Sequence, residues 1–171
     1  MWQWVGRTEH ATVKALATLE AGADAATLTA RAENLARRVD GSRFIHLNSY
    51  LTFHDGVIGR LLIAAGQPEK ARERLEMALQ HAEETGMHFH DAELMRLRAQ
   101  TLTEHRSRNN AVADALEFAR RQGATLFELR CLLDVFDLGD GNRSELADVV
   151  HRFPGDARWP EYERAQRILC G

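Results

Sequence analysis

The sequence predicts an all-α fold, and three observations carry that prediction. Apolar residues recur at three- and four-residue spacing through nearly the whole chain. Glycine closes one such stretch after another, at Gly22, Gly41, Gly66, Gly86 and Gly123. No stretch alternates apolar and polar residues with the period of two that a half-buried strand requires.

The elements follow in order. Residues 2–20 carry Trp2, Val5, Val13, Leu16 and Leu19 at helical spacing. Asp24 is a candidate N-cap for a second helix striped by Leu28, Ala32, Leu35, Ala36 and Val39 and ended by Gly41. A third, about 43–65, holds Phe44, Ile45, Tyr50, Leu51, Phe53, Val57, Ile58, Leu61 and Leu62; apolar over most of its circumference, it is expected to be central and buried. Pro68 and Glu69 suit the first turn of a fourth, where a missing N–H costs nothing and a negative charge is favoured. Its stripe is Ala71, Leu75, Ala78, Leu79 and Ala82. The fifth, 91–104, has Asp91 as its cap and Leu94, Leu97, Ala99 and Leu102 inward. HRSRNN reads as a polar loop, and Asn110 as the cap of a sixth helix through Val112, Leu116 and Ala119. The seventh, about 125–138, is again nearly all apolar. After a DGN turn, Ser144 and Glu145 open a short eighth helix through Val149, Val150 and Phe153, broken by Pro154-Gly155. Pro160 and Glu161 open the last, with Tyr162, Ala165, Ile168 and Leu169.

Composition narrows the function classes. At 171 residues the chain can bury one core or form a short repeat array. Net charge is −3 with both signs interleaved, so no electrostatic footprint for nucleic acid is present. The longest apolar run is broken by Arg60, too short to span a bilayer, and the N-terminus lacks the basic-then-apolar pattern of a secretory signal. Two cysteines, Cys131 and Cys170, argue against a disulfide framework and for a cytoplasmic setting.

An apolar helix, a tight turn and a smaller Ala-striped helix alternate with a unit of roughly 34–40 residues, the mark of a helix–turn–helix solenoid. The best unit runs GVIGRLLIAAGQPEKARERLEMALQHAEETG, from Gly56 to Gly86. Small residues Gly59, Ala71 and Ala78 stand where two helices must touch, with Ile58, Leu62 and Leu75 between them. This pattern resembles the tetratricopeptide repeat, from which Pro68 departs, since an aromatic residue is usual there. The resemblance implies a single tetratricopeptide-like right-handed α-solenoid of about four antiparallel helix pairs, eight to nine helices, with units at approximately 2–41, 43–88, 91–123 and 124–155 and a closing helix at approximately 159–170.

A narrower resemblance covers about 50–170. AGQPEKARERLEMALQHAEETG, then DAELMRLRAQTL and FARRQGATLFELRCLLDVFDL, are similar to the C-terminal helical region of bacterial adenylate cyclase-type and LuxR-type signal-transduction ATPases. The resemblance implies a sensing or scaffold module in signal transduction or transcriptional regulation. Its partner would be a protein or peptide: an ATPase, cyclase or DNA-binding output domain in the same or another chain. The chain itself carries no Walker A phosphate loop and no evident DNA-reading helix pair. A second copy of the chain is another candidate partner, and the exposed apolar pair Trp2 and Trp4 a candidate docking point.

Candidate chemistry is sparse. His54-Asp55 and His90-Asp91 resemble the metal-binding dipeptides of HD-type phosphohydrolases, which keeps an all-α metal-dependent hydrolase as the alternative. His88-Phe89-His90 with His81 or Glu84 offers imidazoles for a divalent metal, but straddles a helix end at Gly86. Cys131 suits a packed small residue better than a nucleophile. The run Glu69 to Arg74 reads as a solvated, internally paired face. The expectation is therefore a non-catalytic binding module without a cofactor. In the solenoid register the first helix of each pair lines the concave face. That register exposes Phe53, Arg60 and Ile63, then Glu93, Arg96, Gln100 and Thr103, then Arg130 and Asp137. Arg60, Arg96 and Arg130 recur once per unit, either as a basic strip for an acidic segment or paired with Glu93, Glu128 and Asp137. The groove is free for a partner or filled by another part of the same protein.

Overall fold

The third helix, Leu51–Ala64, is buried along most of its length, and the first half of the chain packs around it. The computed structural model describes the backbone of residues 2–41 and 50–171 and, within these, side chains from Thr8 onward. Phe44 and Ile45, and the side chains of Trp2, Trp4 and Val5, lie outside the described residues. Among the described residues every regular element is a helix: α1 Trp2–Glu20, α2 Ala25–Asp40, α3 Leu51–Ala64, α4 Pro68–Thr85, α5 Asp91–Gln100, α6 His105–Gln122, α7 Thr125–Asp137, α8 Arg143–Val150 and α9 Pro160–Cys170. None is long and apolar enough to cross a membrane.

The chain divides into two compact units, Met1–Leu102 and Thr103–Gly171, so that α5 falls in the first and α6 in the second. In the first unit one core joins Ala15 of α1, Leu28, Ala32, Leu35 and Val39 of α2, the α3 residues Val57, Ile58, Leu61 and Leu62, and Ala71 of α4. Leu75 and Ala78 of α4 meet Leu94 and Leu97 of α5 in a second cluster. The small residues work as contact points. A Cβ at Gly59 would lie 2.7 Å from Leu75 Cδ2, so α4 approaches α3 at a distance only glycine permits. Left-handed Gly66 (φ 73°) and Gly86 (φ 69°) end α3 and α4, a conformation that is costly for any residue with a Cβ.

In the second unit Val112, Ala115, Leu116 and Ala119 of α6 and Leu129, Leu132 and Leu133 of α7 are buried, with Leu146 and Val149 of α8 and Tyr162 and Ala165 of α9. Phe153 sits edge-on to Trp159 and Tyr162, at 5.5 and 5.8 Å between ring centres. Phe136 packs against Gly141, whose missing side chain makes room for the ring.

Several local expectations are corrected. Residues 105–110 are helical rather than a loop. The cap of α6 is Glu104, not Asn110: its carboxylate accepts from the backbone N–H of Arg106 at 2.9 Å and of Ser107 at 2.6 Å. Asp91 is the first residue of α5, after His90, and uses its carboxylate on His88. Asn142, one residue before the helix, caps α8, which ends at Val150. Val13 is exposed, because α1 turns Thr8, Thr12 and Ala15 inward instead. Asp24 caps α2 as its sequence suggests, accepting from Thr27 N at 2.9 Å and Thr27 Oγ1 at 3.0 Å.

Candidate functional site

Within the first unit α1 touches α3 and α3 touches α5, while α2 packs on α1 and α3, and α4 on α3 and α5. Among the described residues α2 and α4 do not pack backbone against backbone, and beside their Arg74–Asp40 ion pair lies a groove of about 350 Å³ with α3 as its floor. Ile58 and Leu62 form that floor, and Ala32 and Ala36, one turn apart on α2, make its wall low. Met77 of α4, 39% exposed, reaches over the other side. Glu33, Lys70 and Glu73 set charges of both signs at the rim. The arrangement offers water-excluding apolar contact framed by polar groups, the usual make-up of a recognition surface.

Arg74 also borders the groove but is committed elsewhere, and is not part of a solvated face as its sequence context suggested. Its Nε donates to Asp55 Oδ1 at 2.7 Å, and its Nη1 lies 2.9 Å from Asp40 Oδ1. Asp55 is fully buried, so the guanidinium supplies the charge that an isolated buried carboxylate could not do without. The triad ties α2, α3 and α4 together beneath one wall of the groove.

The residues expected on the concave face fall in both units. In the first, Phe53 is exposed at 37% and lies against His54 and His90, with ring centres 5.5 and 5.4 Å apart. Arg60 and Ile63 are half-buried, and Ile63 packs against both apolar cores. Glu93 and Arg96 are both buried: Arg96 Nε donates to Glu93 Oε2 at 2.8 Å and Nη2 to Oε1 at 3.0 Å. Gln100 is half-buried. In the second unit Thr103 is exposed, Arg130 pairs with Glu161 of α9 at 2.7 Å, and Asp137 pairs with Arg164 of α9. Glu128 is held by Arg120 of α6 at 3.0 Å and by Arg152. Arg96 and Arg130 thus have acidic partners inside the protein, one of them for Arg130 being Glu161 on α9.

The carboxylates of the two His-Asp dipeptides are engaged by other side chains. Asp55 belongs to Arg74, and Asp91 accepts from His88 Nδ1 at 2.7 Å. Among the described residues no group of three or more His, Cys, Asp or Glu side chains is arranged to hold a metal ion. Cys131 is buried and Cys170 exposed.

The α2–α4 groove was not anticipated from the sequence. Its signal there is faint: Ala32 and Ala36 were legible as part of a stripe, but small residues on a stripe specify close packing as readily as an empty place. No family model, curated protein or solved structure is significantly similar to this chain.

Proposed function

We propose that the chain is a non-catalytic binding module built as a tetratricopeptide-like helical repeat, taking a protein or peptide partner in bacterial signal transduction or transcriptional regulation. The observation that carries the reading is the layering of the first unit. Helices α1, α3 and α5 touch in series while α2 and α4 pack on them and meet only through the Arg74–Asp40 ion pair, as expected where helix pairs stack on their neighbours. The groove left between α2 and α4 has an apolar floor, and its volume accommodates a few side chains. A short segment with apolar anchors and charged flanks fits it. The bacterial signalling context rests on the resemblance of residues 50–170, which names an ATPase, cyclase or DNA-binding output domain as the source of such a segment. Supplied by the same polypeptide, that segment would make the module an internal scaffold.

A photo-crosslinking residue at position 77, compared with one at exposed Lys14 on α1, tests this in cells. A protein adduct specific to position 77 and lost on Ala36→Glu is the expected outcome. Adducts identical at both positions, or none at position 77, contradict the reading.

A further inference from the structure

The arginines of α4 turn inward and leave its outer side to glutamates. Arg72 donates from Nε to Thr101 Oγ1 at 3.0 Å and from Nη2 to the Thr101 carbonyl at 2.7 Å. Arg74 is held by Asp55 and Asp40. Lys70 is then the one Lys or Arg that α4 leaves exposed. Glu69, Glu73, Glu76, Glu83 and Glu84 are all exposed, and among the described residues none of the five has an ion-pair partner. From Glu73 the series runs through Glu76 and Gln80 to Glu83 and Glu84 at three- and four-residue steps, which sets these residues along one side of the helix beside Met77.

That stripe is unfavourable for α4 alone. Like charges one turn apart repel. Glu83 and Glu84 stand in the last turn, at the negative end of the helix dipole, where cations are favoured and α4 has none. Places where a sequence breaks a local rule are where function is to be looked for. The groove opens along the same edge: Met77 belongs to its wall and Glu73 to its rim, with Ile58 and Leu62 beneath. On the α2 side the rim charge is Glu33, while the exposed Arg31 and Arg37 of that helix lie off the lining. Apolar floor and acidic edge are thus continuous through Glu73 and Met77, so that one ligand can use both.

Resting on the reading of the groove as a binding surface, we infer that its occupant is a cationic amphipathic segment of another polypeptide, with apolar side chains for the groove and Lys or Arg beside them for the α4 glutamates. The apolar side chains rest on Ile58 and Leu62. The cations run along the second half of α4 from Glu73 to Glu84, about 16 Å at 1.5 Å per residue. Such rim charges govern encounter and partner choice, and the apolar contact fixes the register. A cationic segment also relieves the repulsion within the stripe and supplies the positive charge missing at the end of α4. Acidic segments are repelled.

A displayed library of random peptides, selected on the full chain at low salt, tests the charge apart from the groove. Retained peptides are titrated against the Met77 methyl resonance, which reports the groove. They are also titrated against the Glu76→Lys/Glu83→Lys variant, whose two positions are exposed and outside the groove lining. The expected peptides move Met77, carry Lys or Arg beside apolar residues, and bind the variant about tenfold more weakly. That difference should close near 1 M salt, where the screening length falls to about 3 Å. Peptides that move Met77 but have neutral or acidic flanks, or that bind both proteins alike, overturn the inference and leave the groove reading standing. Basic peptides that leave Met77 unmoved are held by charge alone and overturn it as well. Self-association that shifts Met77 and is lost in the variant assigns the groove to a second copy, against the inference. If no peptide moves Met77, the groove reading and the inference fall together.

Discussion

Gly59 and Leu75 meet where α3 packs on α4, with only 2.7 Å between Leu75 Cδ2 and the place a Cβ would occupy at position 59. Leu75 is fully buried, so its side chain has nowhere to withdraw. Gly59→Ala gains about 1 kcal/mol of helix propensity but forces the two helices apart, and overpacking of about 1–3 kcal/mol is the larger effect. Thermal unfolding should show Gly59→Ala below wild type and Gly59→Leu lower still.

Gly56, three residues earlier, provides the contrast. A Cβ there would sit 3.5 Å from Leu94 Cδ2, an ordinary contact. Gly56→Ala should therefore keep the wild-type melting temperature or raise it, by up to about 1 kcal/mol of propensity. A loss as large as that of Gly59→Ala would mean that α5 packs closer to α3 than described.

The Glu93–Arg96 pair should be costly to break by halves. Both side chains are buried, so Arg96→Met takes the bidentate guanidinium away from the Glu93 carboxylate, a change worth about 3–5 kcal/mol. Replacing both residues by Met removes both charges and should recover much of that loss. Chemical denaturation of the two single variants and the double variant measures the coupling.

Strong acid should loosen two helix starts. Asp24 and Glu104 titrate below the usual carboxylate range. For Asp24 the main cause is the backbone N–H of Thr27, and for Glu104 the Ser107 side chain, followed by the N–H groups of Ser107 and Arg106. With the folded value lowered, each contribution is fully present above the ordinary carboxylate range and is lost as pH falls through the folded value. Fraying of the first turns of α2 and α6, followed by amide exchange, should appear only at strongly acidic pH. Asp24→Asn, which keeps the acceptor without the charge, should remove that dependence from α2.

Much of the fold was legible because it depends on neighbours in the chain. The stripe of α2, the proline starts of α4 and α9, and the small residues at the α3–α4 seam all follow from local spacing and backbone chemistry. His105 to Asn110 were misread because six polar residues carry no periodic signal. Their helix is set by the Glu104 cap and by partners some thirty residues away, His105 donating to the Leu138 carbonyl at 3.1 Å and Asn109 to Asp140. The candidate site was less legible for the same reason. Arg130 pairs with Glu161 and Arg74 with Asp55 and Asp40 across helices that no local pattern brings together. The groove exists because α2 and α4 pack on α3 without packing backbone to backbone on each other, a relation between elements that neither helix encodes alone.

The most direct test of the binding reading is a methyl-detected titration with the peptide recovered from the position-77 adduct. Saturable shifts are expected at Ile58 and Met77, on the floor and wall of the groove, with Leu94 and Leu97 between α3 and α5 unmoved. Shifts at Leu94 and Leu97 with Ile58 and Met77 unchanged would contradict it.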